Sequence, residues 1–225
     1  MSVDPYSQDG VLKNKYGETN PKRLELLEKK STINGWIKLQ KELLASPELK
    51  LDPELIKKIH RSLFENVYDW AGEYRTVNIV KGNTMFANAL YISTALEDLT
   101  TKLNREITAK SITANNISEK LAYYYGELNM IHPFREGNGR TQKIFIEKVS
   151  QRLGYSLELN KLDSKKLLEA TIESVNGTGY PLVKMFNQAL KPKNFKHNTQ
   201  SSIKTNQENK RAEKPVKNIS YDLER

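Results

Sequence analysis

The sequence predicts a mainly α-helical domain with one β-hairpin and a flexible C-terminal extension. Apolar residues recur at three- and four-residue spacings through most of residues 21–190, which is the periodicity of amphipathic helices. One β-branched, alternating stretch, Thr76–Val80, interrupts that pattern. After Leu190 the chain turns polar and basic, as is typical of linkers. We therefore predict one domain over residues 1–190 and a basic flexible linker, or the start of a further domain, over residues 191–225.

The helical elements follow one another with recognisable boundaries. Residues 1–20 are rich in turn signals, such as Asp9-Gly10, and should wrap the surface. The first helical pattern begins at Pro21, and we expect its Trp36 in the core. Asp52-Pro53 is a good helix start, because an N-cap acid precedes a proline at the first helical position. Further helical patterns cover residues 89–105, 117–131, 140–153, 163–175 and 181–190.

The hairpin is predicted from two short strand patterns and the turn between them. Thr76–Val80 reads as the first strand, Gly82-Asn83 as the turn and Thr84–Phe86 as the second strand. A two-stranded hairpin is only marginally stable in water, so this one must pack on the helices.

Composition narrows the function classes. The 225 residues contain no cysteine, which excludes disulfides and thiolate metal sites. No apolar run approaches the length of a membrane helix, and residues 1–5 lack the pattern of a secretory signal, so we expect synthesis in the cytosol. Residues 191–225 hold nine Lys/Arg against four Asp/Glu, or +5 of the chain's +9. Since most of the excess charge lies in the extension, nucleic acid is an unlikely partner of the domain.

Residues 132–140 combine several groups that handle phosphate. The glycines at 137 and 139 let backbone N–H groups approach an anion, and the helix that follows adds its positive N-terminal end. Arg140 offers a planar cation for phosphate oxygens, and Glu136 is a hard oxygen ligand suited to Mg²⁺ shared with substrate phosphates. His132 can accept a proton near neutral pH, as a general base must. Each feature alone is weak, but their conjunction within nine residues predicts nucleotide transfer.

The same residues resemble the signature of the Fic (filamentation induced by cAMP) family, His-x-Phe-x-(Asp/Glu)-Gly-Asn-Gly-Arg-x-x-Arg. His132 to Lys143 match every fixed position except the last. The resemblance extends to residues 59–64 and to residues 68–75, which look like the family's lead-in to a hairpin called the flap, here about Asn78–Ala87. It covers roughly residues 4–190 and implies a Fic-type helical bundle.

The resemblance implies a role for each signature residue. His132 would be the catalytic base that deprotonates a target hydroxyl for attack on the α-phosphate of ATP, and Glu136 would bind Mg²⁺. The nucleotide would be held by the remaining signature residues, with Phe134 anchoring the loop in the core: Phe134, Gly137, Asn138, Gly139, Arg140 and Lys143. The flap would clamp an extended piece of the target by strand-type pairing through Ile79, Val80, Lys81, Gly82, Asn83, Thr84, Met85 and Phe86.

Two positions refine the implied activity. Relatives that phosphorylate carry Lys where Gly139 stands here, so Gly139 favours AMP transfer onto a Ser, Thr or Tyr hydroxyl. Lys143 replaces the family's second arginine, which contacts the outer phosphate, and it loses the planar fork. A catalytically weak nucleotide-binding scaffold is therefore an alternative.

Partners are also implied by the resemblance. The family's inhibitory motif, (Ser/Thr)-x-x-x-Glu-(Gly/Asn), is approached only by Ser93 to Glu97, which we interpret as an ordinary helix face. A separate small antitoxin-like protein is thus the expected inhibitor. The closest resemblance is to type IV secreted effectors, which implies translocation into a host cell and a small GTPase as target. The alternative is a toxin that adenylylates endogenous proteins such as topoisomerase subunits. His60 is expected to be a structural histidine.

Overall fold

The computed structural model describes residues 4–44 and 49–193, and it confirms a mainly helical fold. The described residues form seven α-helices: α1 Pro21–Leu44, α2 Pro53–Phe64, α3 Ile92–Thr108, α4 Ile117–Ile131, α5 Asn138–Arg152, α6 Ser164–Asn176 and α7 Tyr180–Ala189. The Asp52 carboxylate caps α2 by accepting from the Leu55 N–H at 2.9 Å, as the Asp-Pro pair predicts. Within these residues no helix is long and apolar enough to cross a membrane.

Helix α4 lies at the centre of the bundle. It packs against α3, α5, α6 and α7, while α2 lies between α1 and α5. One continuous apolar cluster fills the space between these helices. The apolar stripe of α2 is entirely buried and forms one wall of that cluster through Leu55, Ile56, Ile59, Leu63 and Phe64. Because α4 and α5 are consecutive and both buried, the loop between them is held on a rigid scaffold.

Three short antiparallel strand pairs lie at the surface of the bundle within the described residues. The predicted one is β3 Val80–Lys81 with β4 Thr84–Met85. The other two were not predicted: β1 Ser7–Gln8 with β2 Val11–Leu12, and β5 Tyr155–Leu157 with β6 Leu190–Pro192. Strand β6 extends the regular structure past Leu190 to Pro192, and the described residues end at residue 193. Residues 194–225 of the predicted linker lie outside the described residues.

Helix α1 turns a different face to the core from the one that its apolar residues predict. Trp36 is 44% exposed, so its expected burial is wrong, and Ile33 and Ile37 are exposed as well. The buried face has the same helical period but is polar or small in its middle, and comprises Leu24, Glu28, Ser31, Thr32, Gly35, Leu39 and Leu43. The physical reason is that this face contacts the backbone of α2 and a charged side chain of the active loop, which apolar groups could not satisfy.

Gly35 sets the closeness of α1 and α2. A Cβ at this position would lie 1.9 Å from the Ser62 carbonyl oxygen, so the two helices meet backbone to backbone. Beside it, the buried Ser31 hydroxyl donates to the Leu63 carbonyl at 3.2 Å. No side chain larger than hydrogen fits at Gly35 without moving one helix.

We predict that Gly35→Ala destabilises the fold although alanine is the better helix former. The added methyl group overpacks the α1–α2 contact, which costs about 1–3 kcal/mol. Gly126→Ala in α4 is the matched control, because its Cβ would meet only the Ser174 hydroxyl at 3.6 Å. That control should gain up to about 1 kcal/mol. Urea unfolding measures both, and equal stabilisation by both substitutions would contradict the close approach.

Candidate active site

The signature loop joins α4 to α5 through two left-handed residues. His132 ends α4 at φ +47°, and Gly137 precedes α5 at φ +81°. A Cβ at Gly137 would lie 2.4 Å from the Phe64 ring, so glycine is required there for space as well as for conformation. The Asn138 side chain closes the loop by accepting from the Phe134 N–H at 2.8 Å and donating to the Phe134 carbonyl at 2.7 Å. The Asn138 side chain is therefore engaged with the loop itself.

An aromatic layer supports the loop from below. Phe134 is fully buried, as its predicted anchoring role requires, and it stacks on the His60 ring at a centroid distance of 3.8 Å. His60 is fully buried too and has partners at both nitrogens: the Gly72 N–H at Nδ1 (2.8 Å) and the Glu136 carbonyl at Nε2 (3.0 Å). Burial lowers the pKa of His60 to about 3, so its ring is neutral. These contacts agree with a structural histidine.

The hairpin is docked over the loop by Arg75. This guanidinium is almost fully buried and donates to the Val77 and Ala87 carbonyls at the base of the hairpin. It also donates to the Ile131 and His132 carbonyls at the end of α4, at 3.2 and 2.8 Å. One side chain thus joins both stems of the flap to the residue that is predicted to be the base.

The flap alternates between the loop and solvent. Ile79 and Phe86 point inward and are buried, whereas Val80 and Met85 are 58% and 74% exposed. Gly82 takes a positive φ at the first turn position, as in type II′ hairpin turns. The predicted strands are only two residues each, shorter than the sequence pattern, and the structure therefore fixes the flap through its base rather than through its ladder.

His132 is arranged as an unprotonated base. Its Nδ1 lies 3.2 Å from the Asn129 carbonyl, which can only accept, so Nδ1 carries the proton and Nε2 has a free lone pair. Nε2 is buried and has no hydrogen-bond partner among the described residues. Phe86 stacks on the ring at 3.8 Å. Burial, reinforced by Lys81, lowers the pKa of His132 to about 4.

Glu136 presents a charged carboxylate beside His132. Burial opposes its ionisation, but Lys81, the Gly137 N–H and Arg140 outweigh burial and lower its pKa. The Gly137 N–H donates to Oε1 at 2.9 Å, and Lys81 and Arg140 lie 3.9 Å from the two carboxylate oxygens. No group of three or more potential ligands that could hold a metal occurs among the described residues. Glu136 therefore fits Mg²⁺ only as one ligand shared with substrate phosphates and water.

Gly139 leaves open space at the start of α5. A Cβ there would meet nothing within 4 Å. The first intrahelical bond at this end runs from the Thr141 N–H to the Gly137 carbonyl at 3.1 Å, so the N–H groups of residues 138–140 have no acceptor within the helix. Unpaired N–H groups and a helix dipole together are the arrangement that binds anions in other proteins.

Arg140 is held from outside the loop. Its guanidinium lies over the Phe64 ring at 4.6 Å and donates to Glu28 at 2.9 Å and to the Thr32 hydroxyl at 3.2 Å. The other oxygen of Glu28 accepts from the Tyr68 hydroxyl. The fork is thus pre-positioned, with 30% of the side chain still accessible.

Lys143 lies one turn further along α5. Burial lowers its pKa, an effect that Glu147 on the next turn partly offsets. Burial raises the pKa of the Glu147 carboxyl to about 7. The two side chains share the α5 face on which Arg140 also lies, so Lys143 retains a cation near the predicted outer-phosphate position.

The sequence pattern missed the residues that support this site from other elements. Glu28, Thr32 and Tyr68 hold Arg140, and Arg75 holds the flap. A signal existed for the first two: polar residues recur at helical spacing on α1 opposite its apolar stripe. Nothing in the local pattern marks Arg75 as buried.

Comparison with known proteins agrees with this geometry. The Fic/DOC family model matches residues 50–149. Protein adenylyltransferase VbhT of Bartonella schoenbuchensis is 38% identical over 178 residues, which cover 78% of this chain and 37% of that protein. The probable protein adenylyltransferase y4lH of Sinorhizobium fredii is 36% identical over 139 residues, 61% of this chain and 72% of that protein. BepC of Bartonella tribocorum, a VirB-translocated effector solved with bound AMPPNP, has a TM-score of 0.75 at 26% identity and covers 83% of this chain and 96% of its own.

A Fic domain is a helical bundle with a glycine-rich loop between two buried helices. A hairpin is docked over the histidine of that loop. The chain belongs to the Fic/DOC family, and these matched relatives bear the name protein adenylyltransferase. The chain spans 37% of the length of VbhT.

The shifted pKa values of three groups predict how the free energy of unfolding depends on pH. His60 and His132 have folded pKa values of about 3 and about 4 against 6.5 in the unfolded chain, so each contributes stability above pH 6.5 that is lost as the pH falls. Glu147 acts oppositely, because its pKa of about 7 lets the folded protein hold a proton that a free glutamate with pKa 4.5 releases. Near pH 5.5 unfolding should therefore take up about one proton, or about 1.4 kcal/mol per pH unit.

Urea unfolding at pH 5, 5.5 and 6 measures this slope. His60→Gln should bring it near zero, and Glu147→Gln should raise it to about two protons. Identical slopes in the three proteins would contradict the assignment.

Proposed function

We propose that this chain is a protein adenylyltransferase that moves AMP from ATP onto a Ser, Thr or Tyr hydroxyl of a target protein. The observation that carries the proposal is the free, buried Nε2 of His132 beside the open N-terminus of α5. A base without a competing hydrogen bond and an anion site at helix-start N–H groups are the two parts that attack on a phosphate needs. The bound AMPPNP of the relative BepC supports ATP as the co-substrate.

The reaction assigns one step to each group. His132 Nε2 takes the hydroxyl proton, the target oxygen attacks the α-phosphorus, and the bond from that phosphorus to the oxygen bridging the β-phosphate breaks. Pyrophosphate leaves, and the proton stays on His132 until it is lost to solvent. The N–H groups of Gly139 and Arg140 stabilise charge on the α-phosphate, while the Arg140 fork and Lys143 hold the outer phosphates. Mg²⁺ bound by Glu136 would neutralise charge on the phosphates.

Gly139 supports AMP transfer over phosphoryl transfer. The space beside its Cα is open, so an α-phosphate can approach the helix start closely. A lysine at this position would fill the space and add a cation, which favours a different placement of the phosphates.

The flap supports a protein as the acceptor. Val80 and Met85 expose apolar surface on a hairpin whose two-residue strands leave backbone groups at the edges for pairing. We assign target docking to Ile79–Phe86, with a small GTPase of a host cell as the leading target class. The VirB-translocated relative BepC supports synthesis in a bacterial cytoplasm followed by translocation.

A separate inhibitory protein is part of the proposal. Helix α1 exposes four large apolar side chains: Leu26, Ile33, Trp36 and Ile37. A surface helix ordinarily turns such residues inward, so a partner that covers them is the simplest account.

ATP labelled at the α-phosphorus tests the reaction. With Mg²⁺ and host-cell lysate it should label a protein band that the lysate alone does not give, whereas γ-labelled ATP should add no band to those that the lysate's own kinases produce. His132→Ala should reduce the label by at least about 100-fold, as expected for loss of a general base, while nucleotide binding is retained. An added band from γ-labelled ATP would instead indicate phosphoryl transfer, and undiminished labelling by the variant would exclude His132 as the base.

Substitutions of Lys143 test whether the chain is an enzyme or a nucleotide-binding scaffold. Lys143→Arg restores a planar fork, and we expect it to tighten ATP binding by about three- to tenfold with a smaller effect on AMP. Calorimetry measures both affinities, and Lys143→Gln is the control that removes the charge. If neither the wild type nor Lys143→Arg transfers label to any protein, the scaffold interpretation is supported.

A further inference from the structure

His60 lies outside the signature yet contacts the loop at its chemical centre. Its Nε2 is 3.0 Å from the carbonyl oxygen of Glu136, and its ring stacks on Phe134. His60 itself belongs to helix α2 and not to the signature loop.

The tautomer of His60 is set by the fold. The Gly72 N–H donates to Nδ1 at 2.8 Å, so Nδ1 is the acceptor of the neutral ring and Nε2 carries the proton. Gly72 is itself fixed, because its φ is +83° and a Cβ there would lie 2.9 Å from the Arg61 side chain. Nε2–H therefore donates to the Glu136 carbonyl.

The peptide that His60 holds also controls the Glu136 carboxylate. The carbonyl of this Glu136–Gly137 peptide accepts from His60, and its N–H donates to Glu136 Oε1 at 2.9 Å. Gly137 has a left-handed φ of +81°, and a glycine on the C-terminal side makes rotation of the peptide sterically easy. Rotation would turn the N–H away from Oε1 and release the carboxylate.

We propose that His60 is a positioning residue: its Nε2–H locks the Glu136–Gly137 peptide and thereby aims the Glu136 carboxylate at the Mg²⁺ of bound ATP. The inference rests on the proposed function in taking Glu136 as the metal ligand. It differs from a packing role, which would need only the bulk of the ring against Phe134. Groups that orient a metal ligand typically change metal affinity by about 10- to 100-fold when removed.

Two substitutions separate these roles, because each keeps one of the two hydrogen bonds. The amide nitrogen of Gln lies about as far from the backbone as Nε2 and can donate to the Glu136 carbonyl. The amide oxygen of Asn lies near the Nδ1 position, so His60→Asn keeps an acceptor for the Gly72 N–H and loses the donor to the loop. Both substitutions remove the aromatic stacking. Because Asn is one methylene shorter than Gln, the melting temperature of each variant reports how far the two differ in packing.

The readout is the affinity for a fluorescent ATP analogue, with Mg²⁺ and in EDTA, together with the melting temperature and the transfer of label. We expect His60→Asn to weaken binding in Mg²⁺ by about tenfold or more and to leave binding in EDTA unchanged. His60→Gln should stay within about threefold of the wild type in both. Equal losses in both variants, or equal losses with and without Mg²⁺, would overturn the proposal and leave a packing role.

A second measurement needs no variant and covers the case in which neither folds. The chain has three histidines, so ¹⁵N imidazole spectra of the wild type can be assigned. His60 should be the Nε2–H tautomer, and the Nδ1–H tautomer would overturn the proposal. Because neither binding nor tautomer requires transfer, a protein that binds Mg²⁺ and nucleotide as expected but labels nothing would contradict the proposed function and not the role of His60.

Discussion

The structure depends on one buried cation, the guanidinium of Arg75, which is satisfied by four backbone carbonyls instead of a carboxylate. Two belong to the end of α4, where the helix dipole is negative, and this offsets part of the cost of removing the charge from water. The other two belong to the base of the flap. The backbone adds bonds from the Arg75 N–H to the Pro133 carbonyl and from the Ala87 N–H to the Met130 carbonyl. A hairpin that would be marginal alone is thereby fixed over His132.

The signature loop is strained where it is chemically useful. His132 is a non-glycine residue in the left-handed region, a conformation that costs free energy and persists only where the surroundings impose it. Here Arg75 holds its carbonyl, Phe86 stacks on its ring, and Asn129 fixes its tautomer. The result is a neutral ring whose Nε2 has no hydrogen-bond partner among the described residues. The proposed base would therefore be in place before substrate binds.

Local patterns predicted what local physics determines. The Asp52 cap, the boundaries of α4 and the turn at Gly82 each depend on neighbours in the chain, and all are present. The supports of the site depend on distant contacts and were not predictable in that way. Helix α1 is the clearest case: its apolar residues suggested a core face, whereas its buried face carries Glu28, because Arg140 needs a carboxylate there. Strand β6 was missed because its partner lies more than 30 residues earlier in the chain.

Two of the ion pairs at the site differ in strength. Glu28 and Arg140 are 2.9 Å apart with side chains 12% and 30% exposed, and the Tyr68 hydroxyl and the Phe64 ring add further contacts. Lys81 and Glu136 are 3.9 Å apart and 52% and 36% exposed, so water and salt screen that pair to a small contribution, about 1 kcal/mol or less. A divalent cation bound at Glu136 would therefore displace Lys81 at little cost, whereas phosphates bound at Arg140 would share it with Glu28. The contacts of Arg140 therefore hold the phosphate side of the site in place. The weaker contact of Lys81 leaves the tip of the flap free to move when a ligand binds.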